Sequence, residues 1–174
     1  VVDLDDLSNH ADVVVEAAPA ELLPLIAEPA LRAKKTVIVL SVGALLSNDH
    51  LIRIAKEEGG TIVIPTGSII GLDAVIAAAE GDIQSVRMIS RKTPSSLVGA
   101  PFLNEHGMDL EGLAEPRKIF EGSAREAVKG FPASLNIGAA LALAGIGPER
   151  TMLEVWVDPK LDRNVHRIEV VSDS

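Results

Sequence analysis

The sequence has no cysteine and no tyrosine, and its aromatic residues are Phe102, Phe120, Phe131 and Trp156 alone. Lack of cysteine excludes disulfides, thiolate metal sites and thiol nucleophiles. So few aromatic rings leave no stacking platform for nucleic-acid bases, and the interior must be built from Ala, Val, Leu and Ile. Cations are scarce too: 16 Lys and Arg face 25 Asp and Glu, for a formal charge of −9. With no basic stripe, the chain repels phosphate backbones, and nucleic acid is not an expected partner. No apolar run reaches the roughly 20 residues of a membrane-spanning helix. Val1 opens no basic, hydrophobic signal segment, so the expectation is a soluble cytoplasmic protein. What is present is ample apolar material, 47% of 174 residues, enough for one ordinary domain or two small ones.

The first third reads as alternating strands and helices. ADVVVEAAP (11–19), KTVIVLSVGAL (35–45) and TIVIP (61–65) contain short β-branched runs without alternation, the pattern of parallel strands covered on both faces. Between the first two lies a helix bent near Pro24 and Pro29; between the last two, a helix capped by Ser47 or Asp49 and stopped at Gly59 and Gly60. The grammar then changes. GSIIGLDAVIAAAEGD predicts a small-residue helix, IQSVRMISRKTP alternates like a strand with one wetter face, and residues 96–116 read as loop. Ser123 and Glu126 have capping-box spacing for a helix over 124–129, and Pro132 suits the first turn of another running to Ala144. TMLEVWV and NVHRIEVVS close the chain as strands. The fold class expected is therefore α/β: a partial Rossmann-type parallel sheet over 1–66, then an α+β domain with antiparallel strands over 67–174.

Four histidines are present, and only His166 lies inside a strand. Period two puts Asn164, His166, Ile168 and Val170 on one face, setting an imidazole among aliphatic side chains where its pKa can move across neutrality. A core histidine bonded to backbone and a catalytic imidazole are both compatible with that setting. Asn136 begins a helix of small residues and its amide both donates and accepts, which suits a nicotinamide carboxamide or a ribose hydroxyl as well as an ordinary first-turn backbone bond. In PTGSIIGLDA, Gly67 and Gly71 permit close backbone approach and Ser68 offers a hydroxyl near a helix start. Ala17, Ala18, Ser41 and Gly43 follow strands, where open parallel sheets place ligands. Arg91 and Lys92 form a cationic pair of the kind a dicarboxylate requires, or a pair of surface charges. Glu16, Asp73 and Glu154 stand alone, so no metal site is expected.

DVVVEAAP, VIVLSVGAL, IPTGSIIGLDA, SRKTP, IFEGSAREAVKGFPASLNIGAALALAG and NVHRIEV, in this order and over almost the whole chain, resemble successive blocks of the L-aspartate dehydrogenase family. The resemblance implies oxidation of L-aspartate to iminoaspartate with NAD or NADP. The imine then hydrolyses to oxaloacetate and ammonia or feeds NAD biosynthesis. It implies cofactor contacts at Ser68 and Asn136 and a catalytic histidine at His166. Two departures bear on this. The family's GAIGG-like turn is GSIIG here, so Ile70 is expected to narrow the site. The family's opening strand and glycine-rich phosphate turn, and its closing Asn-Pro segment and helix, have no counterpart in these residues, so the chain is expected to be a fragment that binds dinucleotide weakly. An aliphatic second domain with an open β-edge points to a homodimer. Related readings are a dehydrogenase or reductase of homoserine dehydrogenase or dihydrodipicolinate reductase type, and a noncatalytic dimerisation or ligand-binding module.

Overall fold

Three β-branched segments pair in parallel at the start of the chain, β1 (Val13–Glu16), β2 (Thr36–Val39) and β3 (Thr61–Val63), in the order β1-β2-β3. The computed structural model describes residues 2–132 and 134–173, and divides the chain into two units between Ser68 and Ile69. In the first unit, α1 (Leu7–His10) precedes β1, α2 (Leu23–Arg32) links β1 to β2, and α3 (Val42–Leu46) and α4 (Asp49–Glu58) link β2 to β3. Pro24 occupies the first turn of α2, where its missing N–H costs nothing, and the helix runs on through Pro29 without a break. Gly59 ends α4 with a left-handed φ of 84°, and a side chain on Gly60 would strike the Leu31 carbonyl oxygen 2.6 Å away.

The expected cover on both sheet faces is only half realised. Val14 and Val37 are buried in strands that pack against α2, whereas Val13 and Val15 are 52% and 59% exposed. β-Branching favours the extended backbone whether or not both sides are buried, so an unalternating run was a poor guide to the second face.

The second unit opens with α5 (Leu72–Ala78) and the long strand β4 (Asp82–Lys92). It continues with α6 (Pro101–Glu105), β5 (Arg117–Ser123), α7 (Ala124–Gly130), α8 (Asn136–Ala144), β6 (Thr151–Val157) and β7 (Val165–Asp173). The sheet order is β5-β6-β4-β7, antiparallel at β5/β6 and β4/β7 but parallel at β4/β6. It is thus mixed rather than antiparallel, because the helices between β4 and β6 return the chain in its original direction. Two further differences from the sequence reading arise here. The 96–116 stretch contains α6, and β5 follows it with a bulge between Lys118 and Phe120 that broke the alternation. The helix expected from Pro132 begins only at Asn136.

The capping box forms as expected: Ser123 Oγ accepts from the Glu126 N–H while the Glu126 carboxylate accepts from the Ser123 N–H at 2.8 Å. Helix α8 lies on the inner face of β6, where Gly138 leaves room for the Leu153 side chain. Phe102, Phe120 and Phe131 cluster at ring separations of 5.2–5.8 Å and fill one end of this layer.

Candidate active site

Register decides which side chains meet in the second unit. Phe120, Val155, Ser90 and His166 are successive cross-strand partners over β5, β6, β4 and β7, so they form one row. The neighbouring row contains Leu153, against which α8 packs, so this is the helix-covered face. Alternation along β4 continues the buried side from Val86 and Met88 to Ser90 and Lys92. Two polar groups and an ammonium are thereby carried into an apolar layer.

Lys92 is 2% exposed and its Nζ donates to the Ser134 carbonyl at 2.9 Å. That carbonyl belongs to the turn preceding Asn136, so one hydrogen bond ties the end of β4 to the start of α8. No side chain caps α8 at Leu135, and Asn136 is half-buried. His166 is half-buried as well, and its Nδ1 is wholly enclosed with no hydrogen-bond partner; Ser90 Oγ, across the strand pair, is in the same state. Burial lowers the His166 pKa from 6.5, and the nearby Lys92 charge lowers it further. Burial likewise lowers the Lys92 pKa. The imidazole is therefore neutral near pH 7, in the state that accepts a proton.

The sequence-derived residues separate into two groups. Asn136 and His166 fall in one unit; Lys92 bonds the Ser134 carbonyl, two residues before Asn136, and its charge acts on His166. Ser68 is the last residue of the other unit, exposed on the turn after β3, where Gly67 and Gly71 have φ of 59° and 84°. Ile70 beside it is 99% exposed. Arg91 and Lys92 do not act as a pair, since adjacent strand residues point to opposite faces. Arg91 lies on the outer face, over the Trp156 ring at 5.6 Å and 3.5 Å from Asp158. Ser90 was missed by the sequence reading, although the alternation Val86, Met88, Ser90, Lys92 carried the signal.

In the first unit the carboxyl ends of β1 and β2 are joined by Glu16. Its side chain is fully buried and accepts from the Ala18 N–H at 3.0 Å and from the Ser41 N–H and Oγ at 2.9 Å each. The loops singled out at Ala17–Ala18 and Ser41 are thus held together by a carboxylate with its lone pairs well used. Among the described residues no cluster of three or more His, Asp or Glu is arranged to hold a metal ion, and no helix is long and apolar enough to cross a membrane.

Residues 1–65 match a family model described as the NAD binding domain of homoserine dehydrogenase, and residues 73–174 match one described as the C-terminal part of aspartate dehydrogenase. An L-aspartate dehydrogenase 3 from Bordetella bronchiseptica is 58% identical over 173 residues, which cover 99% of this chain and 64% of that protein. An L-aspartate dehydrogenase from Bradyrhizobium diazoefficiens is 53% identical over all of this chain and 62% of its own length. The chain therefore spans somewhat less than two thirds of these relatives. Among solved structures, aspartate dehydrogenase from Thermotoga maritima superposes with a TM-score of 0.74 at 27% identity, over 92% of this chain and 63% of that one. The α/β fold with a Rossmann-like parallel sheet and a second sheet is the one expected, and the C-terminal match alone covers more than half of the residues: the chain belongs to the aspartate dehydrogenase family.

Proposed function

We propose that this chain supplies most of an NAD(P)-dependent L-aspartate dehydrogenase, with residues 1–66 as the remainder of the dinucleotide-binding domain and 67–174 as the catalytic and substrate domain. The reaction is oxidative deamination of L-aspartate to iminoaspartate, which hydrolyses to oxaloacetate and ammonia or enters NAD biosynthesis. The observation that carries the reading is His166: an imidazole kept neutral by burial, with an enclosed, unpartnered nitrogen, in the unit that matches the C-terminal part of this family.

The chain's polar groups fit the cofactor. At Gly67 and Gly71 no atom lies within 4 Å of where a Cβ would stand, so a flat ligand can approach the backbone beside the exposed Ser68 hydroxyl. The Asn136 amide offers donor and acceptor together at the start of α8. We assign Ser68 and Asn136 to the cofactor; when bound, the nicotinamide supplies the hydride acceptor. His166 takes up the proton released when the substrate ammonium becomes an amine, whose lone pair then drives formation of the C=N bond as hydride leaves the same carbon. Neutral His166 is the right form for that task, and orientation beside the acceptor is the rest of the catalysis.

The open edges of β5 and β7 support a homodimer, and a cytoplasmic location belongs to the same reading. A substrate panel followed by NADH or NADPH absorbance tests the assignment in the full-length protein. L-Aspartate turns over and L-homoserine does not; the reverse preference would sink the substrate assignment.

A further inference from the structure

Lys92 is a buried cation with no counter-charge among the described residues. Among the described residues no carboxylate pairs with it, and its one hydrogen bond goes to a backbone carbonyl, leaving two N–H groups unused. An ammonium in an apolar layer is costly unless an anion or several acceptors meet it. Ser90, fully buried, has an Oγ without a partner, and the enclosed Nδ1 of His166 is equally unsatisfied in the next strand. These account for two of the three such orphaned side-chain atoms among the described residues. Native interiors rarely leave buried polar atoms unpaired, and a concentration of them beside an uncompensated charge marks a place for a ligand.

We infer that Lys92 and Ser90, next to His166, form the subsite for a carboxylate group of the substrate. This rests on the dehydrogenase reading and deepens it, because it selects Lys92 from the Arg91–Lys92 pair and adds Ser90. A carboxylate supplies what the three groups lack. One oxygen accepts from the free Lys92 N–H groups, the other accepts from the Ser90 hydroxyl, and the imidazole is left beside the carbon that bears nitrogen. Arg91 takes no part, since it lies on the outer face with Asp158 and Trp156.

The test uses succinate, a dicarboxylate without the amino group, and butyrate, which lacks one carboxylate, with the full-length protein. Titration calorimetry is run on the wild type and on K92M, K92R and S90A. K92M weakens succinate binding roughly 10- to 100-fold and raises KM for L-aspartate by a similar factor, the range set by loss of a charge-assisted hydrogen bond. It also abolishes the preference for succinate over butyrate, which a purely structural role at Ser134 would leave intact. K92R restores part of that preference, and S90A weakens succinate binding by roughly two- to tenfold. NADH affinity stays within about twofold in all variants. A folded K92M that keeps wild-type selectivity overturns the inference; should K92M not fold, unchanged succinate affinity in S90A overturns it instead. Competition by inorganic phosphate stronger than by succinate would assign the subsite to a phosphate and also overturn it. The two readings fail separately. Turnover of L-aspartate with no Lys92 dependence removes only the subsite, whereas Lys92-dependent succinate binding without turnover removes only the reaction.

Discussion

Glu16 in the first unit and Lys92 in the second are both buried charges at strand ends, yet their surroundings differ. The Glu16 carboxylate receives three hydrogen bonds from Ala18 and Ser41. Lys92 has one, and its neighbours Ser90 and His166 retain unpaired atoms. A buried charge whose hydrogen bonds are complete holds a structure together; one whose hydrogen bonds are incomplete is set to receive something. The first is the expected behaviour of a loop clamp, the second that of a site.

That contrast can be broken by substitution. The largest effect is expected from H166A in the full-length enzyme: kcat falls roughly 10²–10⁴-fold, the range for loss of a general base, while NADH affinity changes little. Steady-state kinetics with calorimetry measures both, and an unaltered kcat would place His166 outside the reaction. Next comes E16A, which leaves the Ala18 and Ser41 N–H groups without their acceptor and the Ser41 hydroxyl with only the Ala18 carbonyl, and costs about 3 kcal/mol in urea unfolding. If E16A is as stable as the wild type, Glu16 is not the clamp its geometry indicates.

A smaller effect follows from pH. The folded His166 pKa lies below the unfolded value of 6.5. Between those two values the unfolded chain binds more protons, so stability rises with pH through that window and is lost as pH falls below about 6.5. Melting temperatures at pH 5 and 7 should differ less in H166Q than in the wild type; equal differences would mean that other groups govern the slope. Smallest of all, S90A should change stability by no more than about 0.5 kcal/mol, because the hydroxyl it removes has no partner to lose. A large loss in S90A would show that Ser90 belongs with Glu16 as a structural group and would erase the contrast.

Local physics made much of this molecule legible in advance. The β-branched runs became parallel strands, Gly59 stopped α4, and Ser123 with Glu126 closed a capping box. All of these depend on neighbours within a few positions. His166 could be placed on an inward face by period two for the same reason. β5 escaped because its bulge interrupts the alternation, and α8 started late because Pro132 permits a helix start without requiring one.

The sequence by itself determined the order of most elements, the scarcity of stacking rings, and the face that His166 and Ile168 share, since propensity and periodicity act along the chain; Asn164, expected on that face too, lies before β7 and is exposed. Only the tertiary structure decided that β4 stands between β6 and β7, that Ser90 pairs with the distant His166 across the strands, and that Lys92 reaches the carbonyl before α8. Strand pairing and burial of a charge depend on which distant segments share a packed layer, and that is settled by the balance of contacts over the whole unit.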